Sequence, residues 1–163
     1  MKTIFESNRI LFNEVSLELI DDYLKMVNDH EKVNKYFCFN REYFTKDDET
    51  TWVQTAIKEK KLVFSMVDKQ TKSFIGNIEL MHPEKKEAEL GIAITGNMQD
   101  LGFGTEAITT LLKYGFTKLG FTRIYLRTHS QNARAIHVYL KCGFTEYNCT
   151  SDTVFMEKYA NKK

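Results

Sequence analysis

"GNMQDLGFGTEA", residues 96–107, places Gly102 and Gly104 two apart just ahead of a helical pattern, while the preceding "EAELGIAI" (87–94) alternates as a strand. A strand, a glycine turn and a helix start form a recipe for holding an anion. First-turn N–H groups lack an intrahelical acceptor and carry the positive end of the dipole, and glycine lets the backbone approach a phosphate closely. On spacing alone, the same pair of glycines also makes a plain tight turn. The phosphate-loop pattern requires Lys-Ser/Thr after its last glycine, and Gly104 is followed by Thr105-Glu106, so that reading fails. The dinucleotide fingerprint finds a third small residue in Ala107 but needs a preceding βαβ unit.

The upstream pattern supplies a meander instead. "LVFSMV" (62–67), "SFIGNIEL" (73–80) and "EAELGIAI" (87–94) read as three strands joined by hairpin-length turns at "DKQT" and "HPEKK". Downstream, Ala107, Ile108, Leu111, Leu112, Phe116 and Leu119 make a helical stripe that stops at Gly120. "RIYLRT" (123–128) is then a strand, Asn132 caps a helix over Ala133–Cys142 that Gly143 ends, and "FTEYN" and "TVFMEKYA" close as strands. Toward the start, the opening strand is expected over Asn8–Asn13, with an amphipathic helix from Ser16 carrying Leu17, Ile20, Leu24 and Val27 on one face. A short helix is expected over His30–Tyr36. Another begins at Thr45 with Asp48 completing a capping box, and turns Trp52, Val53, Ala56 and Ile57 inward. The order predicts an α+β class: a mixed, largely antiparallel central sheet of about seven strands flanked by helices.

At 163 residues the chain reads as one domain, 1–163, with no internal repeat. Its apolar content of 42% suits a packed core, and a formal net charge of +1 advertises neither nucleic acid nor an anionic membrane as partner. Cys38, Cys142 and Cys149 form no CxxC pair and cannot all be paired within the chain. The opening "MKTIFESNRILFNEV" interrupts each apolar run with a charge, unlike a signal-peptide core or a membrane span. A cytoplasmic setting is therefore expected. The four histidines lack the close spacing of a zinc site, so no metal is expected.

Two segments carry a resemblance. "QDLGFG" (99–104) resembles the Gln/Arg-x-x-Gly-x-Gly/Ala loop of the GNAT superfamily of N-acetyltransferases, which binds the pyrophosphate of acetyl-CoA. "NARAIHVYLKCGF" (132–144) is similar to that family's second signature, Asn-x-x-Ala…Tyr…Lys-x-Gly-Phe. Along most of the chain, "RILFNEV…MVNDHE" and "FIGNIEL…AELGIAI" are similar to the ribosomal-protein N-terminal acetyltransferase-like subgroup and its polyamine-acetylating relatives. The chain departs from the family in two places. Asp100 and Leu101 stand where many members carry a basic loop residue, and Gly96 stands where the subgroup often has proline.

The resemblance implies a set of roles. Ile92, Ala93 and Ile94 pair their backbone with pantetheine, and Leu101, Gly102, Phe103, Gly104 and Thr105 donate N–H groups to the pyrophosphate. Gln99, Asn132 and Arg134 complete the cofactor site. Acyl transfer from a thioester to an amine also needs a neutral amine, a polarised carbonyl and a proton for the departing sulfur. Tyr139 matches the family's general acid, and a phenol with a pKa of about 10 stays protonated near neutrality. Glu89 is the candidate base, with Glu79 second, while Cys142 has no base to activate it, so direct transfer without an acyl-enzyme is expected. The implied partners are acetyl-CoA and an amine-bearing small molecule or protein N-terminus, with a homodimer allowed. Two other classes stay open: a non-catalytic acyl-CoA-binding or regulatory module, and an interaction domain that binds no nucleotide.

Overall fold

In the computed structural model, residues 1–161 are described. Eight strands form one sheet in the order β1-β2-β3-β4-β5-β6-β8-β7, one more than the sequence predicts. The extra strand comes from the start of the chain. β1 (Thr3–Glu6) pairs antiparallel with β2 (Ile10–Glu14), so the single strand expected over Asn8–Asn13 is the second arm of a hairpin. Its anchor is Phe5, which stacks on Phe12 at 4.4 Å and on Tyr114 at 4.1 Å, burying aromatic area that the flanking charges obscure in the sequence.

β3 (Leu62–Asp68), β4 (Phe74–Glu84) and β5 (Glu87–Ile94) form the expected meander. β4 runs past the expected turn, because Glu84 pairs with Glu87 and the loop shrinks to Lys85 and Lys86, both at positive φ. β6 (Arg123–His129), β7 (Thr145–Cys149) and β8 (Thr153–Tyr159) complete the sheet. β6 is parallel to β5 and antiparallel to β8.

Helices cover both faces. α3 (Phe103–Thr117) and α4 (Ala133–Lys141) pack over a core that includes Ile75, Ile78, Leu111, Ile124 and Phe144. α1 (Ile20–Val27) and α2 (Lys46–Lys58) pack on the opposite face around Tyr23, Met26 and Val53. The capping box at Thr45 and Asp48 forms in both directions. Trp52, Val53 and Ala56 turn inward as expected, but Ile57 remains 57% exposed because it lies on the edge of the stripe. The helix expected over His30–Tyr36 reduces to one 3₁₀ turn at Asn34–Tyr36. Side chains outcompete the helix there: the Asn34 amide donates to the Val27 and Arg41 carbonyls. Asn28 also clasps Phe44, donating to its carbonyl and accepting from its N–H, both at 2.9 Å.

Gly76 on β4 is a point of close backbone approach. A Cβ there would lie 2.0 Å from the Ala93 carbonyl oxygen and 2.9 Å from the Ile94 Cα. Neither atom belongs to a side chain that can swing away. Gly76→Ala is expected to destabilise the protein by about 3 kcal/mol or more, read from the urea midpoint, because β4 and β5 must part to admit the methyl. A loss below about 1 kcal/mol would contradict this packing.

Candidate active site

The parallel pair at the centre of the sheet is incomplete. β5 and β6 match only at Glu87–Arg123, Ala88–Ile124 and Glu89–Tyr125, although both strands continue beyond these positions. Past Glu89, β5 keeps β4 on one side and has no strand on the other, so its backbone groups on that edge are left for another partner. A cavity of about 580 Å³ opens at this gap. Its walls include Ile92, Ala93 and Ile94, with Ala135 and Val138 of α4 opposite.

One end of the cavity is the glycine turn. Gly102 caps α3 with φ +85°, in the left-handed region that favours glycine. The N–H groups of Leu101, Gly102, Phe103, Gly104 and Thr105 donate to no acceptor among the described residues. Gly102, Gly104 and Thr105 line the cavity directly. Leu101 and Phe103 contribute only backbone there, since the Leu101 side chain is exposed and the Phe103 ring is buried in the core. Gln99 is fixed by its amide, which donates to the Ile94 and Lys32 carbonyls at 2.9 Å. Arg134 donates to Gln99 Oε1 at 2.5 Å and lies 3.6 Å from Asp100. Asn132 caps α4 by accepting from the Ala135 N–H at 3.4 Å. The cofactor residues expected from separate stretches of chain thus gather around one opening.

Tyr139 lies deeper in the same cavity and is only 9% exposed. Its ring packs edge-on to Phe144, while its hydroxyl makes no hydrogen bond among the described residues and is open to the cavity. Burial, with smaller contributions from Cys38 and Cys142, drives the phenol well above its ordinary range, so it keeps its proton. Cys142 donates to the Thr105 carbonyl at 3.8 Å, and burial raises its thiol too, which suits packing better than nucleophilic attack.

The other end of the cavity is acidic within apolar walls. Glu79 and Glu89 project from one face of the sheet as diagonal neighbours, since Glu79 is matched with Gly91 and Glu89 with Met81. Glu89 forms an ion pair with Arg127 at 3.3 Å. Glu79 has no ion-pair or hydrogen-bond partner among the described residues. Burial raises its carboxyl, with Lys61 and His82 opposing and Glu89 adding to the rise. Glu49 comes from α2, 94% buried by its 6% exposure and equally without a partner; burial and then Asp48 raise its carboxyl. Phe37, Phe39, Phe44 and Trp52 supply the apolar walls beside it. Their loop is tied down on β6, where the Phe37 carbonyl bonds the His129 ring and Cys38 donates to the Arg127 carbonyl.

In the sequence, Glu49 belongs to the scattered negative charge of the first helices, with Asp21, Asp22, Glu31, Asp47 and Asp48, which reads either as favouring a cationic acceptor or as a solvated helix face. Its spacing held the better signal, because residues 49, 52, 53 and 56 fall on one helical stripe, which puts a carboxylate on the inward face. No group of three or more His, Cys, Asp and Glu among the described residues is placed to hold a metal, and no described helix is long and apolar enough to cross a membrane.

Residues 9–145 match the family described as acetyltransferase (GNAT) domain. The chain belongs to the GNAT acetyltransferases. Acetyl-CoA is therefore its acyl donor, and an amine receives the acetyl group. Among its relatives, a spermidine N(1)-acetyltransferase of Vibrio cholerae is 29% identical over 126 residues, covering 76% of this chain and 72% of that protein. A crystal structure of spermidine N-acetyltransferase from Vibrio cholerae in complex with CoA and spermine superposes with a TM-score of 0.85 at 24% identity, covering 94% of this chain and 96% of that one. A putative ribosomal-protein-serine acetyltransferase from Vibrio cholerae gives a TM-score of 0.81 at 16% identity, covering 98% of this chain and all of that one. These two structures share the fold of this GNAT domain.

Proposed function

We propose that the protein acetylates a small acceptor with more than one ammonium group, of the polyamine type, and that the two unpartnered carboxylates Glu49 and Glu79 receive its charges. This is the observation that carries the reading. Neither carboxylate is sealed from solvent, but each faces the cavity beside apolar walls without a protein partner, and a cationic ligand supplies one at both positions. The apolar walls, including Phe37, Phe39 and Trp52, suit the methylene chain between the charges. The relatives named for spermidine acetylation support the same class. A protein N-terminus brings one ammonium and a backbone, which leaves one of the two carboxylates unsatisfied.

The reaction follows from the arrangement. The free amides from Leu101 to Thr105 hold the pyrophosphate of acetyl-CoA, and the open edge of β5 at Ile92–Ile94 holds its pantetheine arm. The thioester carbonyl is then brought to the junction of the cavity's two ends. Glu89, engaged with Arg127, orients the acceptor ammonium. Glu79, with its raised carboxyl, takes the proton that frees the amine lone pair. The nitrogen attacks the carbonyl and the C–N bond forms; as the C–S bond breaks, the Tyr139 hydroxyl gives its proton to sulfur, and the new N–H2+ group loses its extra proton to solvent, from which Tyr139 regains one. Gln99 and Arg134 brace the loop from the α4 side.

The test is CoA thiol release with spermidine, spermine, a monoamine of similar length and a peptide with a free N-terminus. Spermidine or spermine is expected to exceed the monoamine in kcat/KM by about tenfold or more, equivalent to about 1.4 kcal/mol. Glu49→Gln is expected to remove most of that preference while the monoamine is little affected. A peptide turned over in preference to every polyamine would overturn the polyamine reading and favour an N-terminal acceptor.

A further inference from the structure

The phosphate loop carries no basic residue of its own, yet a guanidinium from the other end of the chain lies against it. Arg9, in the turn between β1 and β2, donates through Nη1 to the Leu101 carbonyl at 3.0 Å and through Nε to Glu106 at 2.7 Å. Its guanidinium sits 4.3 Å over the Phe103 ring, and Nη2 lies 3.2 Å from where a Cβ on Gly102 would be. Its backbone N–H and the Ser7 hydroxyl both donate to Glu106 Oε2, at 2.8 and 2.6 Å. Arg9 thus touches Leu101, Phe103 and Glu106 and approaches Gly102.

Glu106 explains the need for such an arrangement. It lies in the first turn of α3, where a carboxylate favours the helix dipole but repels a phosphate bound at the same end. Burial opposes its ionisation, but the bonds from Ser7 and Arg9 outweigh burial and hold its carboxyl below the usual range, so it is ionised at neutral pH. A fixed negative charge next to a phosphate site must be neutralised, or it subtracts from cofactor affinity. We propose that Arg9 is the positioning residue of this loop: it fixes Leu101–Gly102 through the Leu101 carbonyl and cancels the charge of Glu106, keeping the free amides receptive to the acetyl-CoA phosphates. This rests on the reading of the loop as the pyrophosphate cradle.

The mechanism separates phosphate binding from the chemistry. Arg9→Ala is expected to raise KM for acetyl-CoA about tenfold at unchanged kcat, the scale of a lost charge-assisted hydrogen bond. It is expected to leave kcat/KM for acetylpantetheine, which has no phosphate, unchanged. Glu106→Gln shifts KM for acetyl-CoA by less than about threefold, and the double variant Arg9→Ala/Glu106→Gln recovers most of the loss, because the uncompensated charge has gone. Should Arg9→Ala not fold, Arg9→Gln and Arg9→Lys make the same comparison, with KM rising in Gln and largely kept in Lys.

An unchanged KM in Arg9→Ala overturns the inference. So does an equal loss with acetylpantetheine, which marks general structural damage, or a double variant as impaired as Arg9→Ala. Gly102→Glu, measured in parallel, separates the two readings. If it leaves acetyl-CoA binding intact, the cradle itself is wrong; if it abolishes binding while Arg9→Ala has no effect, only the role of Arg9 fails.

Discussion

Tyr139→Phe is expected to lower kcat for acetyl transfer by about 100-fold while KM for acetyl-CoA stays within about threefold. The variant keeps the ring, and with it the edge-on packing against Phe144 at 6.0 Å. It removes one atom, the hydroxyl oxygen, which is open to the cavity and makes no hydrogen bond among the described residues, so no protein bond is broken. Thermal stability is therefore expected to hold or rise slightly. The remaining change falls on the proton supply. Sulfur leaving as thiolate in an apolar setting is more basic than in water, and Tyr139, which lines the cavity, is the proposed proton donor. The raised Tyr139 pKa fixes the sign of the pH dependence. The group stays protonated past its ordinary titration range, so kcat should not decline on the alkaline side through pH values at which an exposed tyrosine begins to ionise. Turnover should instead rise with pH as the acceptor amine and Glu79 give up protons. Retention of more than about one third of kcat by the Phe variant would reduce Tyr139 to a core aromatic and leave solvent to protonate the thiolate.

What was legible in the sequence followed period and punctuation. The meander, α3, α4 and their stops at Gly120 and Gly143 stood in the pattern because local rules and tertiary packing agree there. The residues that the family resemblance assigned to acetyl-CoA fall in short stretches, Ile92 to Ile94, Gln99 to Thr105 and Asn132 to Arg134, and the structure gathers these stretches around one end of the cavity. At the acidic end, Glu89 and Glu79 were legible singly as candidate bases, but their grouping with Glu49 was not. Glu49, Glu79 and Glu89 come from three elements, and only the antiparallel register of β4 and β5 makes Glu79 and Glu89 neighbours. The loop between α1 and α2 was misread because Asn28 and Asn34 spend their amides on backbone carbonyls, contacts with no periodic signature. Arg9 had no signal either, since its partners are more than 90 residues away.

Gly102→Glu is expected to remove acetyl-CoA binding, raising KM for acetyl-CoA by about 100-fold or more, about 2.7 kcal/mol. Two effects act together. At φ +85° a side chain brings backbone strain of about 1–2 kcal/mol. The carboxylate also adds charge beside five unpartnered N–H groups, where it competes with the pyrophosphate it would exclude. Gly102→Ala separates them, because it carries the strain without the charge and is expected to raise KM by only about tenfold. The binding readout is thermal: at acetyl-CoA a hundredfold above Kd, the unmodified protein gains about 2.7 kcal/mol of stability, and Gly102→Glu at the same concentration gains almost none. Acetylpantetheine supplies the control, since turnover of this phosphate-free donor by Gly102→Glu should stay near that of the unmodified protein. If Gly102→Glu keeps the full acetyl-CoA stabilisation, the free amides of the loop face something other than the pyrophosphate. If acetylpantetheine turnover falls in parallel, the substitution has disturbed the β5 edge as well, and the two ends of the cavity are not independent.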